Sequence, residues 1–152
     1  MPPTRTPRPP QGGELYRATL PNTANAPRIA RDFVSSLLAV SHHRDLADDA
    51  RLCVAEVVTN AHRHTRTPLI QLYATINRKQ VTVSVADNAP WFLPVLTHAR
   101  ADGELECGRG LLLLDRLASA WGWTLLGGCA PDRKAVWFTL SRVGIPGVHV
   151  PR

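Results

Sequence analysis

Two polar side chains, Glu56 and Asn60, interrupt the apolar stretch VAEVVTNAHRH between residues 54 and 64. Residues four apart lie one above the other on the same face of an α-helix, so the two form a polar pair beside an apolar stripe. His64 continues this line. A carboxylate can act as a general base, and a carboxamide oxygen can bind Mg²⁺. The apolar stripe, at spacings of three and four residues, consists of Leu46, Ala50, Cys53, Val54, Val57 and Ala61.

Two further features have the chemistry of a nucleotide site. Asp87 stands where the alternating segment VTVSVAD ends, and its carboxylate can accept a hydrogen bond from the amino group of adenine. Gly108 and Gly110 flank Arg109 at the beginning of a predicted helix. Free backbone N–H groups and the helix dipole favour a phosphate there, and glycine lets the backbone approach it closely. Together the three features predict a nucleotide with Mg²⁺, with His64 at the border of the phosphate site.

Each feature also has a purely structural interpretation. Glu56 and Asn60 can line a solvated helix edge, where Arg63 is near enough to pair with the carboxylate. The strand-terminal aspartate can be a turn residue, and the two glycines can simply begin a helix. His62 and His64 lie two residues apart, a spacing that does not converge on one metal ion on a helix. The nucleotide hypothesis therefore depends on the three features occurring together.

The elements that position these residues are predicted from periodicity. Strands are expected at ELYRATL, at LIQLYATI and VTVSVAD in one hairpin, and at WTLL and AVWFTLSR in a second hairpin. Helices are expected from the cap Asn25 to about Ala39, from about Leu46 to His64, and over GRGLLLLDRLASAWG. Aromatic side chains expected in the core or on the sheet are Trp121, Trp123, Trp137 and Phe138.

This order predicts an α/β fold, a two-layer sandwich with one mixed, mostly antiparallel sheet and helices on one face. The other face of the sheet is either exposed or serves a partner. The domain is expected over residues 14–142, between a disordered Pro/Arg-rich leader, residues 1–13, and a C-terminal tail, residues 143–152. A loop over about residues 88–108 is longer than a connection needs, which makes it a candidate functional segment.

Composition narrows the function classes. With 152 residues, 44 % hydrophobic and 20 % charged, the chain is expected to form one soluble domain. No apolar stretch approaches the roughly 18 residues of a membrane span, and no apolar signal segment is expected. The three cysteines are widely spaced, which favours reduced thiols, a cytoplasmic protein and no zinc site. The net charge of +6 comes mainly from scattered arginines, so no direct nucleic-acid partner is expected.

The segments EVVTNAHRH, DNAP, GRGLLLLDRLASAWGW and KAVWF, in this order, resemble the N box and the glycine boxes of the histidine-kinase-like (Bergerat-fold) ATPases. They are particularly similar to the small anti-sigma-factor serine/threonine kinase group, over about residues 14–142. The resemblance implies ATP and Mg²⁺ as cofactors, with Glu56 positioning or deprotonating the attacking hydroxyl and Asn60 as the metal ligand. The cofactor-binding residues that it implies are Asn60, His64, Asp87, Ala89, Gly108, Arg109, Gly110, Leu111 and Thr139.

One segment departs from the family pattern. The first glycine box of the family reads D-x-G-x-G, whereas Ala89 and Trp91 stand at the two glycine positions after Asp87. Alanine is expected to cost little where the backbone angles are ordinary. Trp91 is expected to cover or fill the adenine pocket.

Two functions stay open. The first is a serine/threonine protein kinase that phosphorylates an antagonist protein, sequesters a sigma factor when the antagonist is absent, and so regulates transcription by partner switching. The second is a non-catalytic adapter that binds a regulatory partner through the same fold, with weak or no ATP use. The resemblance also implies a homodimer formed through the sheet and the first helix. A sensor histidine kinase is disfavoured, because 152 residues leave no room for a separate dimerisation helix pair.

Overall fold

The computed structural model describes residues 13–92 and 106–141, with residues 106–111 as backbone only. The helices are α1 (Ala26–Val40), α2 (Ala47–His64) and α3 (Glu106–Leu117), and the strands are β1 (Glu14–Pro21), β2 (Leu69–Ile76), β3 (Gln80–Asp87), β4 (Ala120–Leu126) and β5 (Arg133–Ser141). A short 3₁₀ helix, Arg44–Leu46, precedes α2. The order of elements is the predicted one. The expected leader, the tail and the loop centre at residues 93–105 lie outside the described residues, so the domain boundaries stay predictions.

The five described strands form one sheet in the order β1-β2-β3-β5-β4. Each neighbouring pair is antiparallel, including the two predicted hairpins, β2 with β3 and β4 with β5. The order brings β3 beside β5, so the end of the first hairpin meets the beginning of the last strand. The predicted two-layer α/β sandwich is confirmed, and its described pairings are antiparallel throughout.

The helices pack on one face of the sheet. The alternating side chains of the central strands that point to this face include Leu72, Val85 and Phe138, and they share one core with residues of all three helices. The helical members include Val34 of α1, the predicted stripe of α2 and Leu114 of α3. The stripe residues Ala50, Cys53, Val54, Val57 and Ala61 are all buried. This burial orients α2 and leaves its polar line at the edge of the core. None of the described helices is long and apolar enough to cross a membrane.

Helix α1 begins where the sequence predicts, but without the expected side-chain cap. Asn25 occupies the cap position and makes no capping hydrogen bond through its side chain. Its backbone oxygen accepts from the N–H of Ile29 at 3.1 Å, while Thr23 Oγ1 accepts from the Asn25 N–H at 3.3 Å. Pro27 lies in the first turn, as predicted.

Helix α3 differs from the prediction at its C-terminal end. It is described from Glu106 and ends at Leu117, although the sequence pattern extended it to Gly122. The chain leaves the helix because the backbone N–H of Ser119 donates to the backbone oxygen of Thr139 at 2.9 Å, which brings the segment to the edge of the sheet. β4 accordingly begins at Ala120. Local periodicity did not predict that the segment after Leu117 makes hydrogen bonds to the sheet in place of helical ones.

The sheet face opposite the helices carries a row of hydroxyl groups. Thr82 Oγ1 lies 2.8 Å from Thr139 Oγ1 across β3 and β5, and Ser119 Oγ lies 3.1 Å from Ser141 Oγ at the edge. Trp137 is also on this face and is buried. Its indole Nε1 is buried and has no hydrogen-bond partner among the described residues. We name this surface the outer sheet face.

Candidate functional site

The polar line on α2 lies where the helix leaves the core. Glu56, Asn60 and His64 are half-buried and follow one another at intervals of one helical turn. The neighbouring apolar residues are turned into the core, so the line is held in a fixed orientation. In the core beneath the polar line, the pKa of the Cys53 thiol is raised to about 12. Burial is the largest cause, followed by the negative charges of Asp49 and Glu56.

The C-terminal end of α2 is tied to the rest of the fold by a set of hydrogen bonds. Thr65 Oγ1 donates to the backbone oxygen of Ala61 at 2.6 Å. His62 Nδ1 lies 2.7 Å from Asn22 Oδ1, and Asn22 Nδ2 donates to the backbone oxygen of Thr67 at 2.8 Å. His62 thus contacts the β1–α1 connection, whereas His64 contacts a different segment. These bonds hold the His64 end of the polar line in place.

Asp87 ends β3, as predicted, and its carboxylate is paired with a buried lysine. Lys134 faces it across the β3–β5 register, and the lysine Nζ donates to both carboxylate oxygens at 2.8 Å. The exposed fractions are 4 % for the Lys134 side chain and 3 % for the Asp87 side chain. The backbone N–H of Ala89 donates to Asp87 Oδ1 at 2.8 Å, and Lys134 Nζ also donates to the Ala89 oxygen at 3.1 Å. The predicted adenine reader is therefore one member of a buried ion pair.

Lys134 is the site residue that sequence reasoning missed. It occupies the core-facing register of β5, in alternation with Val136, Phe138 and Leu140. A lysine is seldom fully buried unless it is paired, so its place in this alternation was a signal for a buried acidic partner. Finding that partner required the register between β3 and β5, which joins segments 47 residues apart.

Ala89 takes the place of the first glycine without strain. Among the described non-glycine residues only His42 has a positive φ, so Ala89 has an ordinary backbone conformation, in which alanine is expected to cost little. Its N–H and its oxygen both take part in the hydrogen bonds of the Asp87 corner. Its oxygen also accepts from the N–H of Phe92 at 3.1 Å, which closes a turn.

Trp91 does not fill the adenine pocket, contrary to expectation. The residue is 79 % exposed, so its side chain is not packed into the Asp87 corner. The next residue, Phe92, takes that place instead. Its ring stacks on the ring of His64 with the centroids 4.8 Å apart and an interplanar angle of 22°, and Lys134 Nζ lies 5.8 Å from the Phe92 centroid. The tight turn from Ala89 to Phe92 explains the difference, because it directs the second aromatic residue inward.

The structure brings together several of the predicted site residues. His64, through Phe92, connects the polar line of α2 to Asp87 and Ala89. Helix α3 packs against α2. Gly108 lies in the first described turn of α3. The structure describes only the backbone of Gly108, Arg109, Gly110 and Leu111, so their contacts stay predictions.

Thr139 is placed apart from the other candidates. It faces Thr82 in the β3–β5 register, and its hydroxyl lies against Thr82 Oγ1 on the outer sheet face. Asp87 and Lys134 face the helices at the other end of the same strand pair. The expected position of Thr139 near adenine is therefore corrected: alternation along β5 directs its side chain to the opposite face from the Asp87 corner.

The polar line fits a magnesium ion that takes few protein ligands. Asn60 offers one half-exposed carboxamide oxygen beside the Glu56 carboxylate. Within residues 13–92 and 106–141, no group of three or more His, Cys, Asp or Glu side chains could hold a metal ion. Mg²⁺ usually keeps several waters and is bound through one or two protein ligands plus substrate phosphates. Asn60 would hold such an ion on a nucleotide, where it neutralises phosphate charge.

Comparison with known families agrees with this geometry. Residues 20–139 match the family model described as the histidine kinase-like ATPase domain. The match runs from the end of β1 to Thr139 in β5 and includes the polar line, Asp87 and Lys134. No curated protein gives a significant match to the sequence.

Proposed function

The chain belongs to the histidine kinase-like ATPase domain family, and on this premise we propose that it binds ATP with Mg²⁺ and transfers the terminal phosphoryl group to a serine or threonine of a partner protein. We further propose that it acts as an anti-sigma-factor-like kinase, which regulates transcription by switching between a sigma factor and an antagonist protein. The subgroup is supported by the resemblance of the N box and the second glycine box.

The observation that carries the proposal is the stacking of His64 on Phe92. This contact joins the line of Glu56 and Asn60 on α2 to the Asp87 corner at the end of β3. One continuous surface therefore has a base-recognition group at one end and a potential metal ligand and general base at the other. The first turn of α3, which packs against α2, supplies backbone N–H groups for phosphate oxygens.

Each group has a distinct task in phosphoryl transfer. Glu56 orients the attacking hydroxyl and accepts its proton. Asn60 fixes the metal ion and thereby the phosphates. The backbone of the first turn of α3 stabilises negative charge at the phosphoryl oxygens. Positioning and charge neutralisation supply most of the rate, because phosphoryl transfer needs little covalent chemistry from the protein.

A non-catalytic adapter is the second candidate function. The occupied Asp87 favours it, because both carboxylate oxygens already accept from Lys134 and the pair is buried. In this alternative the same surface binds a regulatory partner with weak or no ATP use. Both candidates include a sigma factor or an antagonist protein as partner.

The proposed homodimer uses the outer sheet face and α1. The outer sheet face carries the exposed Leu15 and Leu69 at its edge. A second copy that packs on this face would cover both leucines.

Calorimetric titration with ATP and Mg²⁺ tests the nucleotide part of the proposal, and transfer of label from γ-labelled ATP to candidate antagonist proteins tests catalysis.

Glu56→Gln keeps the shape of the side chain and removes its basicity, so nucleotide binding is retained while phosphoryl transfer falls by about 10² to 10⁴-fold. Asn60→Ala removes the metal ligand, so binding and transfer are both lost. Parallel loss of binding in the two variants, or no transfer to any candidate by the unaltered protein, favours the adapter.

A further inference from the structure

The outer sheet face is buried over strands β3, β5 and β4, although the described helices pack on the opposite face. Trp137 stands in the middle of β5 and is only 8 % exposed. Its direct neighbours on this face cannot hide an indole ring, because Ser84 of β3 has a small side chain and Gly122 of β4 has none. Side chains stand out from a sheet, so an uncovered indole would leave at least one side to solvent. A segment outside the described residues must therefore cover it.

Two buried polar atoms on this face lack hydrogen-bond partners among the described residues, the Trp137 indole Nε1 and Thr124 Oγ1. Thr124 faces Ala135 in the β4–β5 register, so its side chain is a diagonal neighbour of Trp137. An indole N–H needs an acceptor, and a hydroxyl can use either a donor or an acceptor. A backbone segment offers both N–H and C=O groups, whereas apolar side chains alone would leave both atoms unpaired. We therefore expect the cover to include backbone.

The C-terminal tail, residues 143–152, is the segment best placed to supply this backbone. It follows β5, which ends at Ser141. Trp137 lies about 13 Å back along the strand from Ser141, at about 3.3 Å per residue, so the tail is long enough to return over the indole. Such a return needs a reversal of the chain, which turn-forming residues allow. The turn-forming residues at the beginning of the tail are Gly144, Pro146 and Gly147.

The tail also has apolar side chains in a suitable pattern. Val148, His149 and Val150 follow the turn-forming residues, and an extended chain places the two valines on one side and the histidine on the other. The other terminal segment, residues 1–12, is rich in proline and contains no valine, leucine or isoleucine. It also precedes β1, which β2 and β3 separate from β5. The tail therefore fits this face better.

We propose that the tail turns back along β5 and packs Val148 and Val150 on Trp137, where a tail carbonyl accepts from the indole N–H. His149 points to solvent. The tail occupies the part of the outer sheet face formed by β3, β5 and β4, and it leaves the β1–β2 edge to the proposed homodimer. This intramolecular contact closes the covered part of the sheet to other proteins. It does not depend on nucleotide binding.

Nuclear Overhauser spectroscopy of the unaltered, full-length protein tests the contact directly. We expect cross-peaks between the Trp137 indole N–H and valine methyl groups. The outer-face positions of β3, β4 and β5 hold no valine or isoleucine, so these cross-peaks identify the tail. The absence of such cross-peaks overturns the inference. Cross-peaks that arise only between labelled and unlabelled copies in a mixture overturn it too, because a second copy then supplies the cover.

Val148→Asp and His149→Asp form a matched pair, because both add a carboxylate to the tail and only the first places it against the indole. Exchange of the indole N–H with solvent is the measurement, and Trp91, which is exposed, gives the rate of an open indole. We expect the Trp137 N–H to exchange at least about tenfold more slowly than that of Trp91 in the unaltered protein. Val148→Asp should remove most of this difference, and His149→Asp should change it less than about twofold.

Equal effects of the two substitutions, or no protection of the Trp137 N–H in the unaltered protein, overturn the inference. Protection that increases with protein concentration also overturns it, because it indicates a second copy on this face. The tail is not part of the described core, so circular dichroism should show a folded domain in both variants. Where Val148→Asp does not fold, the valine cross-peaks of the unaltered protein decide.

Discussion

Cys53 lies three residues before Glu56 on α2 and has its thiol in the core. Burial first, then the charges of Asp49 and Glu56, raises its pKa from 9.0 to about 12. The reactive thiolate is therefore scarce in the folded protein below about pH 10. A variant with Cys107→Ser and Cys129→Ser, which leaves Cys53 as the only thiol, should react with a thiol reagent at pH 8 orders of magnitude more slowly when folded than in urea.

Similar labelling rates in buffer and in urea would contradict the burial of Cys53.

The raised pKa of the Cys53 thiol also has a consequence for stability. Because the unfolded chain releases the thiol proton near pH 9 and the folded chain near pH 12, the free energy of unfolding falls as pH rises through this interval. The contribution is fully present below pH 9.

Individual site residues differ in how far the sequence identified them. Helical periodicity identified Glu56, Asn60 and His64, and the predicted end of a strand identified Asp87. Each of these two signals lies within a single short segment of the sequence. Lys134 depends on pairing between β3 and β5, which the sequence pattern did not specify. The inward position of Phe92 likewise depends on the turn at Ala89 and on the location of His64, so the sequence pattern indicated the neighbouring Trp91 instead.

At the scale of elements, the hairpin between β4 and β5 depends on two glycines with different requirements. Gly127 has φ +108°, and a Cβ there would lie 2.5 Å from Asp132 Oδ1 and 2.9 Å from the Asp132 backbone N. That N–H donates to the Leu126 oxygen at 3.1 Å, which closes the turn. Gly128 has φ +68° and open space around it. A side chain at Gly127 is thus disfavoured by both the backbone conformation and the contact with Asp132, whereas at Gly128 it is disfavoured by the backbone conformation alone.

Gly127→Ala should lower the free energy of unfolding by about 2 to 4 kcal/mol, because strain at positive φ adds to the clash with Asp132. Gly128→Ala is the matched control and should cost about 1 to 2 kcal/mol. Urea unfolding followed by tryptophan fluorescence measures both. An equal cost in the two variants would contradict the close contact at Gly127.

The element predictions succeeded where local periodicity and tertiary pairing agree. The two hairpins have strong alternating patterns and α2 has a strong helical pattern, and each pattern corresponds to an observed element of the same type. The segment after Leu117 differs, since its helical pattern continues while Trp121 and Trp123 pair with Phe138 and Val136 across β4 and β5. Sheet pairing prevails there because Trp121 and Trp123 pack against the core beside the β5 residues that they face.

At the scale of the whole molecule, the two sheet faces have different roles. The face toward the helices holds the apolar core and, at one end, the Asp87 corner. The outer sheet face carries hydroxyl groups and Trp137, and the sequence pattern alone is compatible with either an exposed face or one that serves a partner. Alternation along each strand fixes which residues lie on which face, but composition alone did not identify a partner for the outer one.

The proposed homodimer gives a test of the outer sheet face. We expect sedimentation at tens of micromolar to show a species of twice the monomer mass. Leu69→Glu, at a residue of this face that is 48 % exposed, should shift the protein toward monomer, because it places a charge in the interface. Leu52→Glu, at a residue of α2 that is 51 % exposed and outside the proposed interface, is the matched control and should leave the dimer unchanged. A monomer at all concentrations, or an equal shift in both variants, would argue against pairing through the sheet and in favour of another partner on this face.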